Sequence, residues 1–227
     1  MKNKKKTLSI IQPSFFPYFG YFQMISKSDI FIFYDHVQYD KHGWRNRNKI
    51  LINNKPNWIT VPVTIDNDKK ICNVKIFNSE TNLKKIFKTI KQNYSKYPNF
   101  KKIIPLLEDI FFIKKWKNLS EFNIFATIRI AEYLNIKNTK FHKSSDLINL
   151  KDKNLNLINH CKNFKCTNYL SGELAKNYLD ENLFKKNEIK VDWFKIDNSK
   201  LNESFSYNNQ YLSIIDTLFR YKDFKYI

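Results

Sequence analysis

Apolar residues along this chain come in two spacings. Short unbroken runs read as buried strands, and runs that repeat every three or four positions read as helices. LSIIQ at 8–12, stopped by Pro13, predicts a first strand, and DIFIFY at 29–34 a second. Between them the segment from Gly20 to Ser28 has helical spacing, with Phe22, Met24 and Ile25 turned inward. Strand, loop, helix, strand is the unit that gives a parallel pair with a right-handed crossover. Residues 35–49, DHVQYDKHGWRNRNK, have no period and follow the carboxyl end of the second strand, where open parallel sheets gather ligands. KILI at 49–52, WITVPV at 58–63 and NVKIF at 73–77 are shorter strand candidates with the character of an antiparallel excursion.

The middle of the chain is helical. Residues 83–97 place Ile86, Ile90 and Tyr94 on one face, and 101–112 are kinked or begun at Pro105. Residues 119–136 predict the clearest helix, with Ser120 as N-cap, Leu119 before it, and Phe122, Phe125, Ile128, Ala131 and Leu134 near one stripe. Alternation then returns: a strand at 139–144, a helix at 153–164, a strand at 167–172, a helix at 173–187, a strand at 189–194 and a last helix at 209–220. The sum predicts an α/β fold, Rossmann-like, with a mostly parallel sheet. It reads as one domain over 1–227 with a helical and short-strand insertion at about 44–118.

Composition changes this picture in one respect. The hydrophobic share of 42% supports a sizeable core, while the longest apolar runs are far too short to cross a bilayer. The basic start MKNKKK lacks a signal-peptide cleavage pattern, and Cys72, Cys161 and Cys166 form no paired motif, so a cytoplasmic location is expected. The net charge of +19 comes almost wholly from lysine, in a Lys-, Asn- and Ile-rich composition of the kind an AT-rich genome produces. Such a field attracts anions, but lysines spread over the whole chain disfavour a dedicated nucleic-acid face. Residues that run against this composition are therefore informative. Two of the four arginines lie in GWRNRNK at 43–49, and the three glycines, Gly20, Gly43 and Gly172, each adjoin an unusual motif. Glycine in such a chain is expected where φ is positive or another group approaches closely.

Candidate chemistry concentrates at the same places. In QPSFFPYFGYF, at 12–22, Gly20 opens a helix whose free N–H groups can hold an anion; Gln12 offers an amide, and Tyr18 and Tyr21 flank the turn. The competing reading is a hydrophobic plug. In the 35–49 stretch, Asp35 or His36 can serve as base, with Asp40 and His42 nearby. Arg45 and Arg47 carry forks suited to phosphate and share a face if the segment is extended, with Trp44, Asn46 and Asn48 opposite. Gln38 and Asn46 can read sugar or amide groups, and Tyr39, Lys41 and Trp44 complete the expected substrate-binding set. Ser171 and Gly172 form a second strand-to-helix turn, with Ser171 capping the helix or holding an anion. No metal site is assigned, because His36 and His42 lack a diagnostic spacing. His160 reads as an ordinary packed histidine and Asp216 as a surface carboxylate.

Two resemblances follow from these residues. The first strand–loop–helix is similar to that of nucleotidyltransferases, whose H-x-G-H motif touches ATP phosphates; here Tyr18, Phe19, Gly20 and Tyr21 stand in its place and both histidines are missing. More specifically, QPSFFPYFGYF, YDHVQYDKHGWRNRNKI, WITVPV, YLSGELAKNYLDE and SIIDTLF, in this order, resemble the WbqC-like protein family. That resemblance implies a bacterial role in surface-polysaccharide or O-antigen synthesis. It implies acyl or aminoacyl transfer onto a nucleotide-linked amino sugar, with ATP or an acyl donor as the open choice of co-substrate. The expected partner is a nucleotide-linked sugar or another phosphorylated small molecule. The rivals are a non-catalytic partner in a glycan-assembly pathway and a basic nucleic-acid-binding module.

Overall fold

The computed structural model describes residues 5–197 and 212–221. The first four residues of the basic N-terminus and the start of the last expected helix, 209–211, lie outside that range. Strands β1 (Thr7–Ile11) and β2 (Ile30–Phe33) flank helix α1 (Phe19–Ser26). Later in the chain come β7 (Lys140–Lys143), β8 (Asn168–Gly172) and β9 (Lys190–Phe194). These five strands form one parallel sheet in the order β7-β2-β1-β8-β9. The fold is thus α/β and Rossmann-like. The inner strand β2 is apolar and buried throughout, as a parallel strand covered on both faces should be, whereas the edge strands β7 and β9 carry polar residues and are partly exposed. Phe31 and Phe33 face one cluster with α1, while Ile30 and Ile32 face another with α5 (Lys153–Asn163) and α6 (Glu181–Lys186).

Between β2 and β7 the chain builds two antiparallel ladders and three helices. β3 (Arg47–Ile52) pairs with β4 (Lys55–Thr60), and β5 (Val63–Thr64) with β6 (Lys75–Ile76). The β3–β4 turn is Asn53–Asn54, both with positive φ (51° and 58°), as a two-residue hairpin of primed geometry needs. WITVPV is not one strand: Pro62 has no N–H for a ladder, so pairing stops at Thr60 and restarts at Val63. Helices α2 (Ser79–Tyr94), α3 (Phe100–Phe112) and α4 (Leu119–Tyr133) follow. Pro105 lies inside α3 and does not begin it. Asn118, not Ser120, caps α4, its side chain accepting from Glu121 N–H at 2.9 Å. The expected helix at 173–187 is broken into a 3-10 turn at Glu173–Asn177 and α6, because Asp180 accepts from Leu183 N–H and starts a new helix.

The loop after β1 is both plug and scaffold. Phe15, Phe16, Phe19, Tyr21 and Phe22 are buried in the main core. Phe16 has φ of 40°, a strained value for a phenylalanine, and its carbonyl accepts from Asn48 Nδ2 (2.7 Å) and Ser213 Oγ (2.9 Å). Ser213 also caps helix α7 (Ile214–Arg220). Asp216 on α7 is fully buried, accepting from Tyr94 O–H at 3.1 Å and pairing with Arg220, so it is not a surface carboxylate.

No glycine has positive φ. Gly20 is explained by close approach: a Cβ there would sit 2.5 Å from Tyr18 Cε2 and 3.0 Å from Ile196 Cγ1. Gly20→Ala is expected to cost about 1–3 kcal/mol by overpacking, read from urea denaturation. Gly43 is similarly crowded by Asp40 Oδ2 at 2.6 Å, whereas nothing lies within 4 Å of a Cβ at Gly172. The expectation of a conformational need at Gly172 is therefore corrected; the space beside it is open.

Candidate functional site

The ladder brings four chain segments to one edge. Ile11 pairs with Phe33 and Phe33 with Lys143, so Gln12, Tyr34 and Ser144 leave the sheet together. Ser171 and Gly172 close β8, which neighbours β1. Strand order reverses between β1 and β8, and ligands of open α/β sheets bind outside the carboxyl ends at such a point.

Two polar groupings stand at this rim. The first is donor-rich. Residues 44–48 dock on the loop after β1 through Phe15 N–H to Trp44 O (2.9 Å) and through Asn48 Nδ2 to Phe15 O (3.1 Å). Asn46 is buried, donating to Val61 O at 2.9 Å, and Asn123 Nδ2 donates to Arg45 O at 2.7 Å. With Asn46 and Asn48 turned inward, alternation sends Arg45 and Arg47 the other way, toward Tyr39. Trp44 departs from the alternation, since it and Arg47 both contact Trp58, at 5.1 and 4.5 Å. Arg47 also donates to His42 O.

Arginine pairing differs sharply between this loop and the helices. Arg129 pairs with Asp109 and Glu132, and Arg220 with Asp216. Arg45 and Arg47 have no carboxylate partner among the described residues, and Nε of each is buried without an acceptor. Tyr39 Oη is buried and unpartnered as well. Burial lowers the Arg45 pKa, opposed by nearby Tyr21, Asp40 and Tyr39. Burial, then Asp40, raises the Tyr39 pKa, while Arg45 and Arg47 pull it down. Tyr21, likewise raised by burial, donates to Gln12 O at 3.2 Å and so ties this group to the end of β1. Three unsatisfied donors and no bound carboxylate make a place for an anion with several acceptor oxygens.

The second grouping surrounds His36. Asp35 is buried, and its carboxylate accepts from Ser145 N–H (2.8 Å), Ser145 Oγ (3.0 Å), Ser144 Oγ (3.1 Å) and Ser120 Oγ (3.5 Å). Ser144 Oγ lies 2.7 Å from His36 Nδ1. Assigning its one hydrogen to the charged carboxylate puts the ring hydrogen on Nδ1 and leaves the Nε2 lone pair as base. Burial, chiefly, lowers the His36 pKa; Lys70 acts in the same direction and Asp35 against it. The ring stands edge-on to Tyr34, with centroids 4.8 Å apart. Behind it, fully buried His160 meets Asn149 Oδ1 at 3.2 Å through Nε2, with Nδ1 unpartnered among the described residues.

Sequence reasoning missed Ser144, Ser145, Asn149 and the engagement of His160. The available signal was SSD at 144–146, straight after a strand on the same rim. Of the remaining expected residues, Gln38 and Lys41 are exposed, Gln38 bridging Lys70 by backbone. Ser171 is buried and caps no helix, and Gly20 is covered by Tyr18 and Ile196.

His160 gives a stability prediction. Burial, with His36 adding to it, lowers its pKa to about 4 from 6.5. The unfolded chain takes up this proton near pH 6.5 and the folded chain only near 4. The contribution is complete above about pH 6.5 and is lost as pH falls toward about 4, by about 3 kcal/mol in all. Urea denaturation between pH 7 and 4 should show that slope, and His160→Gln should flatten it.

The sequence profile of the WbqC-like protein family matches residues 12–225. The chain belongs to this family. It is also 35% identical over 194 residues to the uncharacterized protein Rv1507c of Mycobacterium tuberculosis, covering 85% of this chain and 83% of that one. No solved structure matches it. The matched span of the WbqC-like chain includes both polar groupings. Among its described residues no helix is long and apolar enough to cross a membrane.

Proposed function

We propose that this WbqC-like protein binds a nucleotide-linked amino sugar at the sheet rim and transfers an acyl or aminoacyl group to its amine, in bacterial surface-polysaccharide synthesis. The observation that carries the reading is the half-buried pair Arg45 and Arg47, whose Nε atoms are buried without an acceptor and which have no ion-pair partner among the described residues, beside the unpartnered Tyr39 hydroxyl. A diphosphate offers the acceptors these donors lack. The open space beside Gly172, together with the Gln12 side chain at the end of β1, gives the sugar a place on the same rim. An amine must lose a proton as it attacks an acyl carbon, and a neutral imidazole is suited to take it. His36 Nε2 fills that role; Asp35, whose oxygens are engaged, acts through Ser144 by holding the ring. The co-substrate is ATP with a free acid, or a preformed acyl donor.

The test is to incubate the full chain with nucleotide-linked amino sugars, amino acids or acyl donors, with and without ATP, and to follow the sugar by mass. An acyl increment that depends on His36 supports transfer. Binding of the sugar with no increment over a broad panel would favour a ligand-binding partner of the same pathway, and absence of both would remove the reading.

A further inference from the structure

We propose that the outer end of the α2–α3 helix pair docks on an anionic lipid surface. Phe77, just before α2, and Phe112 and Ile113, where α3 ends, are 53%, 45% and 57% exposed. Large apolar side chains grouped in this way mark an interaction surface. Phe112 lines a cleft of about 320 Å³ between α2 and α3, floored by Leu83, Phe111 and Trp116. The same cleft is edged by Lys84, Lys114 and Lys115. Lys115 reaches Glu80 at 2.9 Å and Lys114 reaches Glu121 at 3.4 Å, but both are exposed pairs that hold little energy and exchange readily. Lys84 has no ion-pair partner among the described residues.

The kind of cation decides between partners. Recognition of particular carboxylates on a protein favours the planar arginine fork, and none of the four arginines lines this cleft. Flexible lysine ammoniums around a small apolar tip suit a diffuse anionic layer with a hydrocarbon interior. Shallow apolar insertion and charge attraction are two weak signals that together anchor a protein.

Sedimentation of the full chain with phosphatidylcholine vesicles, with and without phosphatidylserine, tests this at physiological salt. Binding is expected only to the anionic vesicles. Phe112→Ser with Ile113→Ser should weaken it about tenfold, from the loss of partly buried apolar surface. Leu174→Ser, at another exposed apolar position, should leave it unchanged. If the double serine variant melts well below the parent, Lys84→Glu with Lys115→Glu decides instead, and should also weaken binding. No binding to anionic vesicles overturns the proposal. So does binding indifferent to both double variants, which would belong to the overall charge of +19. Equal or tighter binding to polyglutamate, lost in the same variants, would make the partner an acidic protein and overturn it too.

Discussion

Replacing Arg45 by alanine is expected to weaken binding of a nucleotide-linked sugar about a hundredfold while leaving the fold as stable as before, or slightly more so. A charge-assisted, forked contact to phosphate supplies about 1.5–3 kcal/mol, and about 2.7 kcal/mol is a hundredfold in affinity. The stability half of the expectation follows from what Arg45 lacks. It makes no ion pair among the described residues, and its Nε is buried unsatisfied, so its removal frees the fold of a desolvated cation. A residue kept for structure behaves the opposite way: Arg220, paired with buried Asp216, should cost stability when removed. Arg45→Lys separates charge from shape, since it keeps the cation and loses the fork, and should recover only part of the affinity. Calorimetric titration with the sugar nucleotide, beside urea denaturation of each variant, reads both halves.

His36→Ala is expected to lower turnover by about 10²–10⁴ with little change in sugar binding. The pH profile adds a readout that a purely structural role would not move. Because burial lowers the His36 pKa, the acid limb should fall below the range of a free imidazole, with activity flat through neutral pH. Ser144→Ala removes the hydroxyl between Asp35 and the ring. It should shift that limb and reduce turnover less than His36→Ala does, since the base itself remains.

The centre of the sheet was legible because β1 and β2 are largely buried. LSIIQ and DIFIFY are short runs dominated by apolar residues, interrupted inside only by the buried Ser9, and that pattern suits a parallel strand with two covered faces. The breaks were less legible, since they depend on single side chains. Asp180 starts a helix inside a run with helical composition, and Asn118 wins the cap of α4 because Ser120 turns into the core toward Asp35. At the site, GWRNRNK stood out as the place where arginine and glycine persist in a lysine-rich chain. What the arginines lack, a carboxylate partner, is a fact of three dimensions. Ser144 and His160 were hidden for the same reason: each is an ordinary residue until the fold brings it near His36, Ser144 from the end of β7 and His160 from α5.

The most direct measurement is a crystal structure of the chain soaked with a nucleotide-linked amino sugar. The diphosphate is expected within hydrogen-bond reach of Arg45, Arg47 and the Tyr39 hydroxyl, with the sugar lying toward Gln12 and Gly172. A ligand bound on another face, or one at the rim with its phosphates away from both arginines, would contradict the assignment of this rim as the binding site.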